Sequence, residues 1–204
     1  MTHAQSYKMS FTTGGLFLNE SLVVARLWLA SASWPETRAK AVGQGAASQP
    51  KEASRRRTLR EIINRLSCLS DGELRFLCEG ADRGEQAALL WLAVCRAYRL
   101  VREYAVDVIQ DRHVCRQFGL PVDSFNQYIA MKSEWNDGLS RLSPATILKL
   151  RQVLFRIMRE ASIINDENNI ISAYLSPRLR HLITQTDPAD LNVFPGIAFR
   201  GSAL

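Results

Sequence analysis

Between Glu85 and Gln110 the apolar residues recur at helical spacing, but they do not keep to one side. Leu89, Leu90, Leu92, Ala93, Tyr98, Val101, Ala105, Val108 and Ile109 spread over more than one face. A helix that is apolar nearly all round is stable only when other elements surround it. This stretch therefore predicts a central helix, capped by Asp82, running unbroken to about Gln110 in a mainly α protein. Its longest uncharged apolar run, Ala87 to Cys95, is far too short to span a bilayer.

The remaining segments supply the surrounding helices. Leu16 to Leu29 reads as a first amphipathic helix, and Ser33-Trp34-Pro35-Glu36 opens a short second one with a capping box. That helix dissolves at Gly43-Gln44-Gly45, and Ala46 to Pro50 reads as a linker. A third helix is expected from about Ser54 to Leu69, with Leu59, Ile62, Ile63, Leu66 and Leu69 on one stripe. Ser70-Asp71-Gly72-Glu73 is a second capping box. Past Gly119-Leu120-Pro121, helices are expected around Asp123 to Trp135, from Ser143-Pro144 to about Ala161, and from Ser176-Pro177 to about Thr184.

Gly119-Leu120-Pro121 is the clearest break, so the expected organisation is a helical lobe over 1–118 and a second over 119–186. A tail over 187–204 follows, without period and read as an arm. Ser162 to Ile171 differs in kind from its surroundings. Two β-branched pairs, Ile163-Ile164 and Ile170-Ile171, flank the polar run Asn165 to Asn169. That pattern predicts one short β-hairpin near 163–171, placed where a winged helix-turn-helix carries its wing. The fold expected is a compact multi-helix protein.

Catalytic constellations are missing from the sequence. It contains no G-x-x-x-x-G-K-[ST], no G-x-G-x-x-G and no G-x-S-x-G. Cys68, Cys78, Cys95 and Cys115 have neither C-x-x-C nor zinc-ribbon spacing, and His3, His113 and His181 lie far apart. Asp107 and Asp111, four apart beside Arg112 and Arg116, read as a solvated helix face with ion pairs. No enzyme activity, cofactor or metal is expected. The first fifteen residues contain no apolar signal segment, so the expected location is the cytoplasm, without disulfides and without membrane contact.

Charge is where the sequence becomes informative. Lys and Arg total 26 against 20 Asp and Glu, a formal charge of +6, and a surplus of that size suits a polyanionic partner. Lys51 to Arg65 holds six basic residues against Glu52 and Glu61. Arg55, Arg56 and Arg57 are expected in the first turn of the third helix, where the helix dipole disfavours cations. Arg56 and Arg60 share a face opposite the apolar stripe. On the helix opened by Pro144, Lys149, Gln152, Arg156 and Arg159 recur at three, four and three residues, with Arg151 beside them and Glu160 the one acid. Guanidiniums at that rise can follow a phosphate backbone, and Gln152 can reach a base edge. Arg178 and Arg180 add charge to the last helix. Arg96, Arg99 and Arg102 form a third basic stripe, expected to pair partly inside the protein. The four tryptophans fall on apolar stripes and read as core rather than as a stacking platform, which favours duplex over single-strand binding.

Several stretches in combination resemble the BrxA family of BREX bacteriophage-defence systems. They are Ser10-Phe11-Thr12-Thr13-Gly14-Gly15-Leu16 with Glu20-Ser21, Arg60-Glu61-Ile62 to Leu69, and Glu85-Gln86. Leu90-Trp91-Leu92-Ala93, Cys95-Arg96-Ala97-Tyr98, Lys149 to Arg156 and Leu175-Ser176-Pro177-Arg178-Leu179 complete the set. The resemblance covers about Tyr7 to Ile183. It implies a non-enzymatic, mainly helical DNA-binding component with a fold likened to the antitermination factor NusB. It also implies a host system that methylates its own DNA and blocks phage replication. The expected function is a grip on double-stranded DNA through phosphates with low sequence specificity. Two alternatives stand beside it: RNA binding by the same surface, and an assembly adaptor for other BREX components. The adaptor reading draws on the apolar tail segment Val193 to Phe199.

Overall fold

The computed structural model describes residues 7–12, 14–43, 46 and 52–197. Most of the 46–50 linker, Lys51 and the tail beyond Ile197 lie outside the described residues. The N-terminal half contains α1 (Leu18–Ser31), α2 (Trp34–Gly43), α3 (Glu52–Leu66), α4 (Asp71–Glu79) and α5 (Arg83–Ala97). There follow α6 (Arg99–Tyr104), α7 (Asp111–Val114), α8 (Ser124–Ser133), α9 (Asp137–Ser140), α10 (Pro144–Glu160) and α11 (Pro177–Thr186). A π-helical turn, Ala105–Gln110, joins α6 to α7, and a 3₁₀ turn, Pro188–Val193, follows α11. The protein is mainly α, as its periodicity predicts. Among the described residues no helix is long and apolar enough to cross a membrane.

Local chemistry sets the helix starts. Ser70 and Asp82 each close a reciprocal capping box with Glu73 and Glu85, satisfying first-turn N–H groups that the helix itself leaves unpaired. Ser143 and Ser176 accept from the amides of Thr146 and Leu179, each with Pro at the helix start.

Every residue of α5 from Leu89 to Cys95 is buried, and α1, α3, α4 and α10 all pack on it. It is the central element, but it is not continuous to Gln110. The chain leaves the helix at Tyr98, whose backbone is extended (φ −130°, ψ 96°). Tyr98 ends α5 by donating its N–H to Val94 and starts α6 by accepting from Val101 and Arg102. Its buried ring then lies 5.0 Å from Phe11, and its hydroxyl donates to the buried carboxylate of Glu61 at 2.6 Å. Apolar periodicity continues through the break because both helices are buried, so periodicity alone misses it.

The expected hairpin is reduced to single bridges. Ile164 pairs with Ile170 and Gly119 with Asn169, both antiparallel, with no named strand among the described residues. Asn168 takes the left-handed conformation (φ 62°) that closes the turn. The Gly119 segment adds a third chain, with Ile170 N–H donating to Phe118 O at 2.7 Å and Leu120 N–H to Asn168 O at 2.9 Å. The turn is thus bound to the body rather than projecting as a wing, and its tip residues are the acids Asp166 and Glu167.

The arm reading of the tail is corrected through Ile197. Asp187 caps the 3₁₀ turn, and Leu191, Val193 and Phe194 join the main core. The Trp91 indole N–H donates to Val193 O at 3.0 Å. Gln110 donates to Ile197 O and accepts from Gly196 N–H, both at 3.0 Å. One core cluster contains residues from both sides of Gly119.

Candidate nucleic-acid interface

The polar side of α10 is built by subtraction. Leu150, Val153, Leu154, Phe155, Ile157 and Met158 are buried, which leaves the basic stripe facing outward. A groove of about 670 Å³ runs along this side, lined by Lys149, Arg151, Gln152, Arg156 and Arg159 together with Glu160, Gly14 and Val122. All five polar residues expected on this helix from their spacing line one concavity. Lys149, Gln152 and Arg156 are exposed, and among the described residues Lys149 and Arg156 have no carboxylate at salt-bridge distance. Arg151 is held by Asp123 at 2.8 Å, and Arg159 donates to the Asn168 side chain at 2.6 Å.

Glu160, the acid of α10, accepts from the Leu16 N–H. The carbonyl of the same peptide group, Gly15 O, accepts from Arg65 Nη1 at 2.8 Å. A Cβ at Gly15 would overlap the Glu160 carboxylate, and one at Gly14 (φ +73°) would overlap the Phe17 ring. The two glycines of the Ser10–Leu16 stretch are therefore required by close approach and by a left-handed backbone.

A second cluster expected from the sequence stands apart from this groove. On α3, Arg56, Arg57 and Arg60 are exposed and Arg55 is half-buried. The helix begins at Glu52, so Arg56, Arg57 and Arg60 fall beyond the first turn and Arg55 closes it, while Glu52 itself is the charge that suits the dipole. Arg56 is paired with Glu52 at 2.6 Å. Arg65 does not belong to the surface. It is buried against Glu61 at 2.6 Å, where Tyr98 supplies a further donor. Burial, with the Glu61 hydrogen bond next, pushes the Tyr98 hydroxyl well above the usual tyrosine range.

Arg178 and Arg180 are exposed on α11. The Arg178 guanidinium lies 4.8 Å from the Phe76 ring centre, in a separate groove between α4 and α11. The three basic clusters thus occupy different places, and only the α10 set lines the large groove.

The third stripe pairs internally. Arg96 bonds Glu73 at 2.7 Å and Asp190 at 2.8 Å. Arg102 bonds Asp190 and reaches Asp187 at 3.8 Å, while Arg99 holds Glu103 at 2.6 Å. Burial works against the charge on Arg96, but Glu73 and Asp190 outweigh it and hold the guanidinium more firmly protonated. Asp107 accepts from Tyr128 at 2.8 Å and pairs with Lys132 at 3.2 Å. Among the described residues no group of His, Cys, Asp or Glu is arranged to hold a metal. The four cysteines are free, and burial pushes the thiols of Cys68, Cys78 and Cys95 up.

Trp135 departs from its expected place in the core, being 82% exposed. Tyr174, Val114 and Phe118 are exposed as well. Arg83 lines the groove next to α10, and spacing gave no means of finding it, because it stands alone in the sequence at the start of α5.

The BrxA family model matches residues 5–187. The BREX protein BrxA of Escherichia coli O9:H4 (strain HS) is 25% identical over 182 residues, covering 87% of this chain and 84% of that protein. The BREX protein BrxA of Bacillus cereus (strain H3081.97) is 23% identical over 167 residues, covering 82% and 83%. A crystal structure of an uncharacterized protein from Magnetospirillum magneticum superposes with a TM-score of 0.77 at 20% identity, over 93% of this chain and 98% of that one. That last likeness is one of fold. With a family model spanning most of its length, the chain belongs to the BrxA family of BREX systems.

Proposed function

We propose that this chain is a non-enzymatic component of a BREX phage-defence system that binds duplex DNA through phosphate contacts along α10. The observation that carries the reading is the groove in which Lys149, Gln152 and Arg156 stand exposed, the two cations without acidic partners among the described residues. Lys149 and Arg156 are seven residues apart, about 10 Å along a helix axis. That is the rise of about three phosphates on one DNA strand. Cations outnumber amides on this face, so the contacts position the duplex more than they read it.

The test is binding of the purified protein to a labelled random-sequence duplex across a salt series. If six to ten phosphates are engaged, affinity falls about 10³–10⁵-fold between about 50 and 200 mM salt. Lys149→Glu/Arg156→Glu removes most of it, whereas Arg57→Glu/Arg60→Glu and Arg178→Glu/Arg180→Glu lose less. A flat salt response sinks the reading, and preference for structured RNA over duplex in competition replaces DNA with RNA.

The adaptor reading loses the observation that first suggested it, because the tail segment Val193 to Pro195 is buried.

A further inference from the structure

The α10 groove does not end at α10. Gly14, Arg156 and Glu160 line it and also line a second groove of about 540 Å³. The far side of that second groove is formed by Asn19 and Arg83 at the starts of α1 and α5. Arg83 is exposed and donates to the Asn19 side chain at 2.8 Å. Among the described residues it has no carboxylate at salt-bridge distance. Two cations free of acidic partners, Arg156 and Arg83, therefore share one concavity, and Arg156 belongs to both.

Glu20 and Glu160 also line the second groove, and they bear on its sign. Glu160 is committed to the Leu16 N–H, which turns its carboxylate onto the Gly15–Leu16 peptide. Glu20 lies in the first turn of α1, where a negative charge offsets the helix dipole. Among the described residues neither acid lies at salt-bridge distance from Arg83 or Arg156, and Glu160 is taken up by the loop amide, so both arginines remain open to a ligand.

We infer that the phosphate path runs from Lys149 past Arg156 and over the Gly14–Phe17 loop to Arg83, with Glu160 as the residue that positions the loop. This rests on the DNA-binding reading and adds to it a phosphate contact on a different helix. It also gives Glu160 a cost. Its charge lies beside the path, so a neutral acceptor in its place holds the loop and binds DNA more tightly.

The experiment uses the full chain and a labelled random-sequence duplex across a salt series, with Arg83→Gln, Arg83→Glu, Glu160→Gln and Arg156→Glu compared with wild type. Removing one phosphate contact lowers the magnitude of the salt slope by about 0.9, so Arg83→Gln weakens binding about three- to tenfold near 0.1 M salt. Arg83→Glu weakens it further, and Glu160→Gln strengthens it. Unchanged thermal midpoints in the Arg83 variants show that the loss is one of contact, since that side chain is exposed. If Arg83→Glu binds as wild type does while Arg156→Glu fails, the extended path is overturned and the α10 site stands. If wild type binds no duplex, both fall together.

Discussion

Arg65 and Glu160 hold the two polar atoms of a single peptide group, Arg65 donating to Gly15 O and Glu160 accepting from Leu16 N–H. One comes from the end of α3 and the other from the end of α10, so the N-terminal loop ties together helices far apart in sequence. The Gly14-Gly15 pair is where that loop passes, and a Cβ at either position would overlap a neighbouring side chain. The grip predicts an order of cost. Gly15→Ala displaces only the end of the Glu160 side chain and loses one hydrogen bond to a carboxylate, about 1.5–3 kcal/mol. Gly14→Ala forces a left-handed alanine against the Phe17 ring and costs more, about 2–5 kcal/mol. Chemical denaturation of the two variants checks the order.

Among the described residues Arg96 alone bonds both Glu73 and Asp190, two carboxylates with almost no exposed side-chain surface. Removing it leaves Asp190 with Arg102 but strands the buried Glu73 carboxylate without a cation. Arg96→Ala is therefore expected to lose about 3–5 kcal/mol, against about 0.5 kcal/mol or less for Arg56→Ala, whose pair with Glu52 is exposed. Equal denaturation midpoints for the two variants would contradict this account.

Phe194 is buried with Leu191 and Val193 in the main core. Phe194→Ala is expected to cost about 3–5 kcal/mol by the cavity it leaves, and deleting residues 187–204 to cost still more. A truncated protein with the thermal midpoint of the full chain would return the tail to the status of an arm.

Alkaline pH should destabilise the protein through its buried tyrosines. Burial raises the hydroxyls of Tyr98, Tyr104 and Tyr128, with Glu61 and Asp107 adding to the first and last. Tyr104 is pushed up to about 12, whereas an unfolded tyrosine ionises near about 10. The unfolded chain therefore releases protons first as pH rises. The stabilising contribution is complete below about pH 10 and is lost as pH rises toward the folded values, at about 1.4 kcal/mol per pH unit for each such group. Denaturant midpoints measured across that window should fall steeply, and Tyr104→Phe should flatten the fall.

Most helices could be read directly from the sequence because their determinants are local. Capping boxes at Ser70 and Asp82, Ser-Pro starts at 143 and 176, and the one-sided pattern of α10 all act within a few residues. The α10 stripe was legible for the same reason: with one face buried, the positions left over are fixed by the helical period. What the sequence could not decide depends on partners far along the chain. The break at Tyr98 is made by Glu61 and Phe11, and the burial of the tail by Trp91 and Gln110. Charge counting could not separate Arg65, consumed inside, from Lys149 and Arg156, left facing a groove, whereas the internal pairing of Arg96 followed from the burial expected of its helix. Periodicity assigns a residue to a face of its own helix, and only packing decides what that face meets.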